Sequence, residues 1–399
     1  MHWMLPEGIE EILPLEALRI ETLRRKALDL FASWGYDLVS PPLIEFVEPL
    51  LTGFDSELDH KMFKFVDLTS GRLLGIRADI TPQVSRIDAR TASADIPSRL
   101  CYVGNVLHTH TDSLTRFRDP IQIGAEIYGH AELDSDIEVI RLLIAFLELC
   151  DLKQQIYLDI GHVGIVRGLA SQAELNLEQE LLLLDILQRK AGPELENFLA
   201  KNVRESKLAN MIEGLLELNG KAGIIKEARD ILRFANDSVN SILDQLQQTA
   251  ELLTELAPSI VLNCDFSELR GYHYQTGLVF AAFVSGYGRE VARGGRYDQI
   301  GKVFGRARPA TGFSADLKLL SRLGEGSDRE PKNRIFSPKV SDKSLASVIR
   351  HLRDNGNVVI EELSDQKLSA NDFGCTHELV LQDNHWIVQI AKVPTKMTA

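Results

Sequence analysis

Apolar residues recur at helical spacing early in the chain, at Leu23, Ala27, Leu30, Phe31 and Trp34, and Gly35 follows as a stop signal. The next segment, "YDLVSPPLIEF", reads as extended, because Pro41 and Pro42 forbid a helix there. The pattern then shortens to a period of two. "KMFKFVDLTSGRLLGIRADIT" predicts two strands around a Ser70–Gly71 turn, and "SRLCYVGNVLHTHTD" and "RDPIQIGAEIYGH" predict two more flanking a polar loop. After the start signal Asp134–Ser135, "IEVIRLLIAFLELC" returns to the helical period. Strands arriving as hairpins imply an α+β fold with an antiparallel sheet rather than a doubly wound one.

From about residue 165 to 255 the chain is rich in Leu, Glu, Ala and Lys, which predicts an all-helical block inserted between strand-rich halves. Strands resume with "SIVLNCDFSEL", "YQTGLVFAAFVSG" and "REVARGGRYDQI". The polar stretch 323–333, "LGEGSDREPKN", has the composition of a linker. It divides a main domain, 1–322, from a small α/β domain, 334–399, with one helix ("DKSLASVIRHLRDNG") and strands "NVVIEEL", "ELVLQ" and "WIVQIAK". There is no internal repeat.

At 399 residues the chain is too long for one core. A net charge of −13 argues against a surface built to grip nucleic acid, which needs clustered cations. The N-terminus lacks the basic and apolar regions of a signal peptide, and no stretch is apolar over the length of a membrane helix. The four cysteines, Cys101, Cys150, Cys264 and Cys375, are scattered without a CxxC pair. Reduced thiols in a cytoplasmic protein are the expectation.

Candidate chemistry gathers in a few segments. His108 and His110 are two apart, so on a strand they share a face, yet no HxxxH, HExxH or cysteine cluster supplies further metal ligands. The expectation is no metal. "RGYHYQTG" and "ARGGRYDQIG" join glycines to aromatic and charged residues, but neither has the strand-to-helix context of a phosphate loop; Gly294–Gly295 reads as a hairpin or bulge. Asp79, Gln122 and Glu126 are expected to project from sheet strands, and Arg270, Tyr274 and Tyr297 from others. Two acids with aromatic walls would suit the α-amino group of an amino acid. The alternative is that Asp79, Glu126 and Arg270 form a buried ionic network holding the sheet together.

These segments together resemble histidyl-tRNA synthetase, a class II aminoacyl-tRNA synthetase, over about residues 5–322. "LPEGIEEILP" is similar to its N-terminal signature and Pro42 to the motif 1 proline. "IRADITPQVSRIDA" through "YVGNVLHTHTDSLTRFRDPIQIGAEIYG" resembles motif 2, and "ATGFSADLKLL" motif 3. "ELRGYHYQTGLVF" and "ARGGRYDQIG" resemble the two segments peculiar to the histidyl enzymes. The resemblance implies a class II antiparallel sheet flanked by helices, with a helical insertion. It also implies that Asp79, Thr81, Gln122, Glu126, Arg270, Tyr274 and Tyr297 contact histidine.

The departures carry as much information. The motif 2 arginine that holds the ATP α-phosphate falls on His108, and the motif 3 arginine that holds the γ-phosphate falls on Leu319, although Arg116 and Arg118 still match the motif 2 loop. Neither substitute offers a permanently charged five-donor fork. A tyrosine expected after Tyr274 is Gln275, and "GYH" replaces "GLD". A synthetase-like body without ATP clamps, ending in a short C-terminal domain, resembles the regulatory subunits of ATP phosphoribosyltransferase. That resemblance implies no catalytic residues and no cofactor. It implies a short-form catalytic subunit as partner in a hetero-octamer, self-dimerisation through the motif 1 region, and histidine as effector in the first step of histidine biosynthesis. A divergent histidyl-tRNA synthetase is the alternative.

Overall fold

Helix α1 (Pro14–Ser33) turns its Ile20, Leu23, Ala27 and Phe31 stripe inward, and Gly35 ends it at a φ of 83° that favours glycine. The computed structural model describes residues 4–51, 56–93, 96–110, 117–267, 274–324, 333–364 and 368–391. They fall into two compact units, 1–326 and 327–399. Most of the 323–333 stretch read as a linker (325–332) lies outside the described residues.

In the first unit β1 (Asp37–Leu38) and β2 (Ile44–Phe46) flank the prolines, followed by the short helices α2 (Val47–Leu51) and α3 (Ser56–Lys61). Strands β3 (Phe63–Val66) and β4 (Leu73–Ile76) form the expected hairpin, with Gly71 at φ 71° in its turn, and β2 pairs with β4 to complete a three-stranded sheet. Helix α4 (Thr81–Thr91) then crosses to β5 (Ser98–Asn105), β6 (Ile121–Tyr128) and α5 (Leu133–Leu149). Strand β7 (Ile156–His162) precedes α6 (Val163–Gln172), α7 (Leu177–Gln188), α8 (Gly192–Asn202) and α9 (Ser206–Gly214). The predicted all-helical block contains one strand, β8 (Asn219–Lys221), before α10 (Ile224–Ile231) and α11 (Asp237–Leu256). Three residues rich in Asn, Gly and Lys carry no period-two signal; β8 exists because it pairs with the edge of β9 (Val261–Asp265). Strands β10 (Leu278–Val284), β11 (Glu290–Arg296) and β12 (Ala310–Asp316) and helix α12 (Leu317–Leu323) close the unit.

The main sheet has nine strands in the order β1-β5-β6-β12-β11-β10-β7-β9-β8. Its central ladders are antiparallel, and only β1–β5 and β7–β9 run parallel. The strand period sorts the two faces. On β6, Ile123, Ala125 and Ile127 enter the main core with Phe31, Phe146 and Phe313, whereas Tyr128 joins a second cluster with Tyr102, Ile80 and Tyr297. The functional residues stand on that second face. Gly294 and Gly295 lie inside β11, not at a hairpin before it. The reason is packing: a Cβ on Gly294 would sit 2.4 Å from the Phe280 ring and 2.3 Å from the Gly312 carbonyl.

In the second unit, β13 (Arg334–Ser337), α13 (Lys343–Asp354), β14 (Val358–Glu361), β15 (His377–Gln382) and β16 (His385–Ile390) build a four-stranded sheet ordered β14-β13-β15-β16. Leu345 and Ile349 of α13 pack with Ile335, Val359 and Leu379.

Candidate functional site

Two neighbouring cavities open on the second face of the main sheet, sharing Asp79, Arg293 and Ser314 in their walls. The inner one holds about 30 Å³ and is lined by Thr81, Glu126, Tyr274, Gln275 and Tyr297. Strand β6 places Gln122 and Glu126 four residues apart, hence on one face, with Glu126 opposite Gly312 of β12. Gly312 leaves room there, since a Cβ would lie 2.6 Å from both the Glu126 Cγ and the Tyr297 hydroxyl.

Asp79 is not on a strand. Strand β4 ends at Ile76, and Asp79 occupies the loop before α4, whose first residue is Thr81. Gln122 ties that loop to the sheet: its Nε2 donates to Asp79 Oδ1 at 2.8 Å, and its Oε1 accepts from the Ile80 amide at 2.9 Å. Asp79 Oδ1 also accepts from the Thr81 amide at 3.0 Å. Tyr274 precedes β10 and Tyr297 follows β11; their rings meet edge to face at 6.5 Å, so neither projects from a strand interior. Loops closing over a sheet end bring together what the alternation alone assigned to strands. Arg270 lies outside the described residues, as does Arg116.

Glu126 is 1% exposed. Burial pushes its carboxyl up to about 8, against hydrogen bonds from Tyr128, Thr81 and Tyr102 that favour the ionised form. Tyr102, Tyr128 and Tyr297 are raised well above the usual phenol range, again chiefly by burial. At neutral pH the inner cavity is therefore polar but uncharged at Glu126. Among the described residues neither Asp79 nor Glu126 makes an ion pair. The buried ion pairs are elsewhere, Arg296 with Asp136 at 2.9 Å and Arg308 with Asp88 at 2.7 Å. Sequence reasoning missed these, and it missed Tyr102 and Tyr128. Tyr128 had a usable signal, since it lies two residues beyond Glu126 on the same strand face.

The outer cavity, about 220 Å³, is lined among others by Lys61, His108, His110, Asp316 and Leu319. His108 Nε2 lies 2.9 Å from the Ala78 carbonyl, and burial holds its imidazole below the usual value, so it is a neutral donor already engaged. Arg118 spends its guanidinium on the carbonyls of His108 (2.9 Å) and Glu7 (3.2 Å), over the Phe63 ring. Leu319 brings only carbon. Its neighbour Lys318 turns away, 1% exposed, toward Asp119 at 3.0 Å and Glu10 at 3.2 Å. Asp316, raised by burial to about 6, caps α12 through the Lys318 amide. Arg289 and Arg293 line this cavity as well, so with Lys61 its wall carries cations beside the acceptors. The positions 108 and 319 contribute no guanidinium clamp for a polyphosphate. Among the described residues no group of three or more His, Cys, Asp or Glu could hold a metal ion.

The family model "Histidyl-tRNA synthetase" matches residues 8–320, and "ATP phosphoribosyltransferase subunit HisZ C-terminal domain" matches residues 332–389. A protein of Methylococcus capsulatus named ATP phosphoribosyltransferase regulatory subunit is 55% identical over 97% of this chain and 96% of its own length. One of the same name from Thioalkalivibrio sulfidiphilus is 50% identical over 97% and 98%. The solved structure of an ATP phosphoribosyltransferase regulatory subunit/histidyl-tRNA synthetase from Bacillus halodurans superimposes with a TM-score of 0.81 at 25% identity, covering 93% of this chain and 96% of that one. Histidyl-tRNA synthetase from Nostoc shares the fold, with a TM-score of 0.76 at 17% identity over 98% and 97%.

Proposed function

This chain belongs to the family of ATP phosphoribosyltransferase regulatory subunits, and from that premise we propose that it acts through a partner and performs no chemistry of its own. The partner is the short-form catalytic subunit of ATP phosphoribosyltransferase, whose turnover this chain raises and which it subjects to inhibition by histidine. The observation that carries this reading is identity of 50–55% to regulatory subunits over almost the whole chain. The site supports the absence of adenylation. Losing one charge-assisted donor to a developing oxyanion costs roughly 10²–10³ in rate, and positions 108 and 319 provide none of the guanidinium kind. That weighs against a divergent histidyl-tRNA synthetase.

A protein without chemistry changes a reaction only by binding one state of its partner better than another. Histidine is the effector in this reading, its amino group near Asp79 and its side chain toward Glu126, Tyr274 and Tyr297, with Gln122 and Thr81 fixing the loop. Arg270 joins them by resemblance to the synthetase. Two chains pair through the Pro41–Phe46 region, inside a hetero-octamer that works in the cytoplasm without nucleic acid or membrane. No helix among the described residues is long and apolar enough to cross a bilayer. Co-purification tests the partnership: tagged chain should retain a short-form catalytic subunit through gel filtration, and failure to do so would count against it.

A further inference from the structure

The inner cavity contains two buried polar atoms that no described residue satisfies. Gln275 is 5% exposed and its Oε1 has no hydrogen-bond partner; Tyr297 is 4% exposed and its hydroxyl has none either. Both residues line the same cavity. Leaving such a group unpaired costs about 1–3 kcal/mol, and native proteins rarely keep one without a use for it.

The two atoms differ in kind. The Gln275 amide is held from its nitrogen side, where Nε2 reaches the Gly294 carbonyl at 3.5 Å, which leaves the oxygen as a pure acceptor. The Tyr297 hydroxyl carries a proton at any ordinary pH and can donate it. Elsewhere in the polar wall Thr81 lies 3.2 Å from the Tyr102 hydroxyl, Glu126 receives Tyr128, and Asp79 and Arg293 stand in the wall shared with the outer cavity. The two unpartnered atoms thus offer one acceptor and one donor, the complement of a neutral imidazole, which has one N–H and one bare nitrogen. At about 30 Å³ it admits only the tip of a side chain.

We propose that Gln275 is the specificity-determining residue of this cavity, accepting a ring N–H from the effector so that an N–H heteroaromatic amino acid is chosen over isosteres lacking that hydrogen. This rests on the reading that histidine occupies the cavity.

Calorimetric titration of the full chain with histidine and with β-(2-thienyl)alanine, of similar ring size without an N–H, tests it. Wild type is expected to prefer histidine. Gln275→Leu should weaken histidine roughly 3- to 10-fold, the span of one neutral hydrogen bond, and leave thienylalanine unchanged. Gln275→Glu keeps an acceptor and should keep the preference. Equal weakening of both ligands would mark Gln275 as merely structural and overturn the proposal. Should Gln275→Leu not fold, wild type titrated with the two ring-N-methylated histidines decides: loss with at least one is expected, and affinity equal to histidine for both overturns it. No histidine binding by wild type would instead remove the underlying reading of the site.

Discussion

Arg118 and His108 hold each other through a reciprocal pair of hydrogen bonds, His108 N to Arg118 O at 2.8 Å and Arg118 Nε to His108 O at 2.9 Å. A guanidinium that matches a phosphate-binding loop in sequence is here a brace for the strand end. With His108 itself bonded to Ala78, the protein should give no histidine-dependent ATP–pyrophosphate exchange. Isotope exchange above the buffer background would revive the synthetase reading.

Self-association should run through the sheet beside the prolines. Leu43 is 43% exposed and Ile44 45%, and exposed Phe65 lies on the same face of the sheet as Ile44, across β4. Sedimentation velocity at micromolar concentration should show a dimer, and Ile44→Glu should shift it to monomer. A wild-type monomer would remove this surface as the interface.

Glu126 links proton binding to stability. Its carboxyl titrates near 8 in the folded chain against 4.5 for an unperturbed glutamate, so between those values the folded state holds a proton that the unfolded state has released. Stability must therefore fall as pH rises through that window and level off above it. Glu126→Gln removes this slope, so the variant should gain on wild type from pH 5 to pH 8.5 in urea unfolding; parallel curves would contradict the assignment. If the carboxyl also receives the effector, it does so as a neutral acid at pH 7, and the same substitution should weaken histidine binding by about 0.5–1.5 kcal/mol.

Gly312 tests the cavity from its floor. A methyl there meets Glu126 Cγ and the Tyr297 hydroxyl at 2.6 Å and the Ala125 carbonyl at 2.9 Å. Gly312→Ala should cost roughly 1–3 kcal/mol of stability through overpacking and abolish histidine binding. Undiminished binding in a folded variant would place the ligand elsewhere.

Much of this was legible because it is periodic. Strand-like runs between turn signals located β3 to β6 and β9 to β11, and the helical period located α1 and α5. Asp79 was misplaced because "GIRADI" continues the alternation past the end of β4. Arg77, read as a strand residue, is drawn into the loop by the Pro41 and Asn105 carbonyls at 2.8 and 2.9 Å. The ion pairs Arg296–Asp136 and Arg308–Asp88 join residues 160 and 220 positions apart, which no local pattern encodes. The glycines of β11 read as turn formers, and Gly312 of β12 carried no reading of its own. Their role is to leave space, which only the packed sheet reveals.

The most direct test of regulation is turnover of a short-form ATP phosphoribosyltransferase catalytic subunit, measured with and without saturating amounts of this chain, across a histidine titration. The chain, inert alone, should raise turnover and make the complex more sensitive to histidine than the catalytic subunit by itself. By reciprocity, substrates that favour the active state should weaken histidine binding by the same factor, typically about 5- to 150-fold. Unchanged turnover and unchanged histidine sensitivity, with no complex detected by sedimentation, would contradict the account.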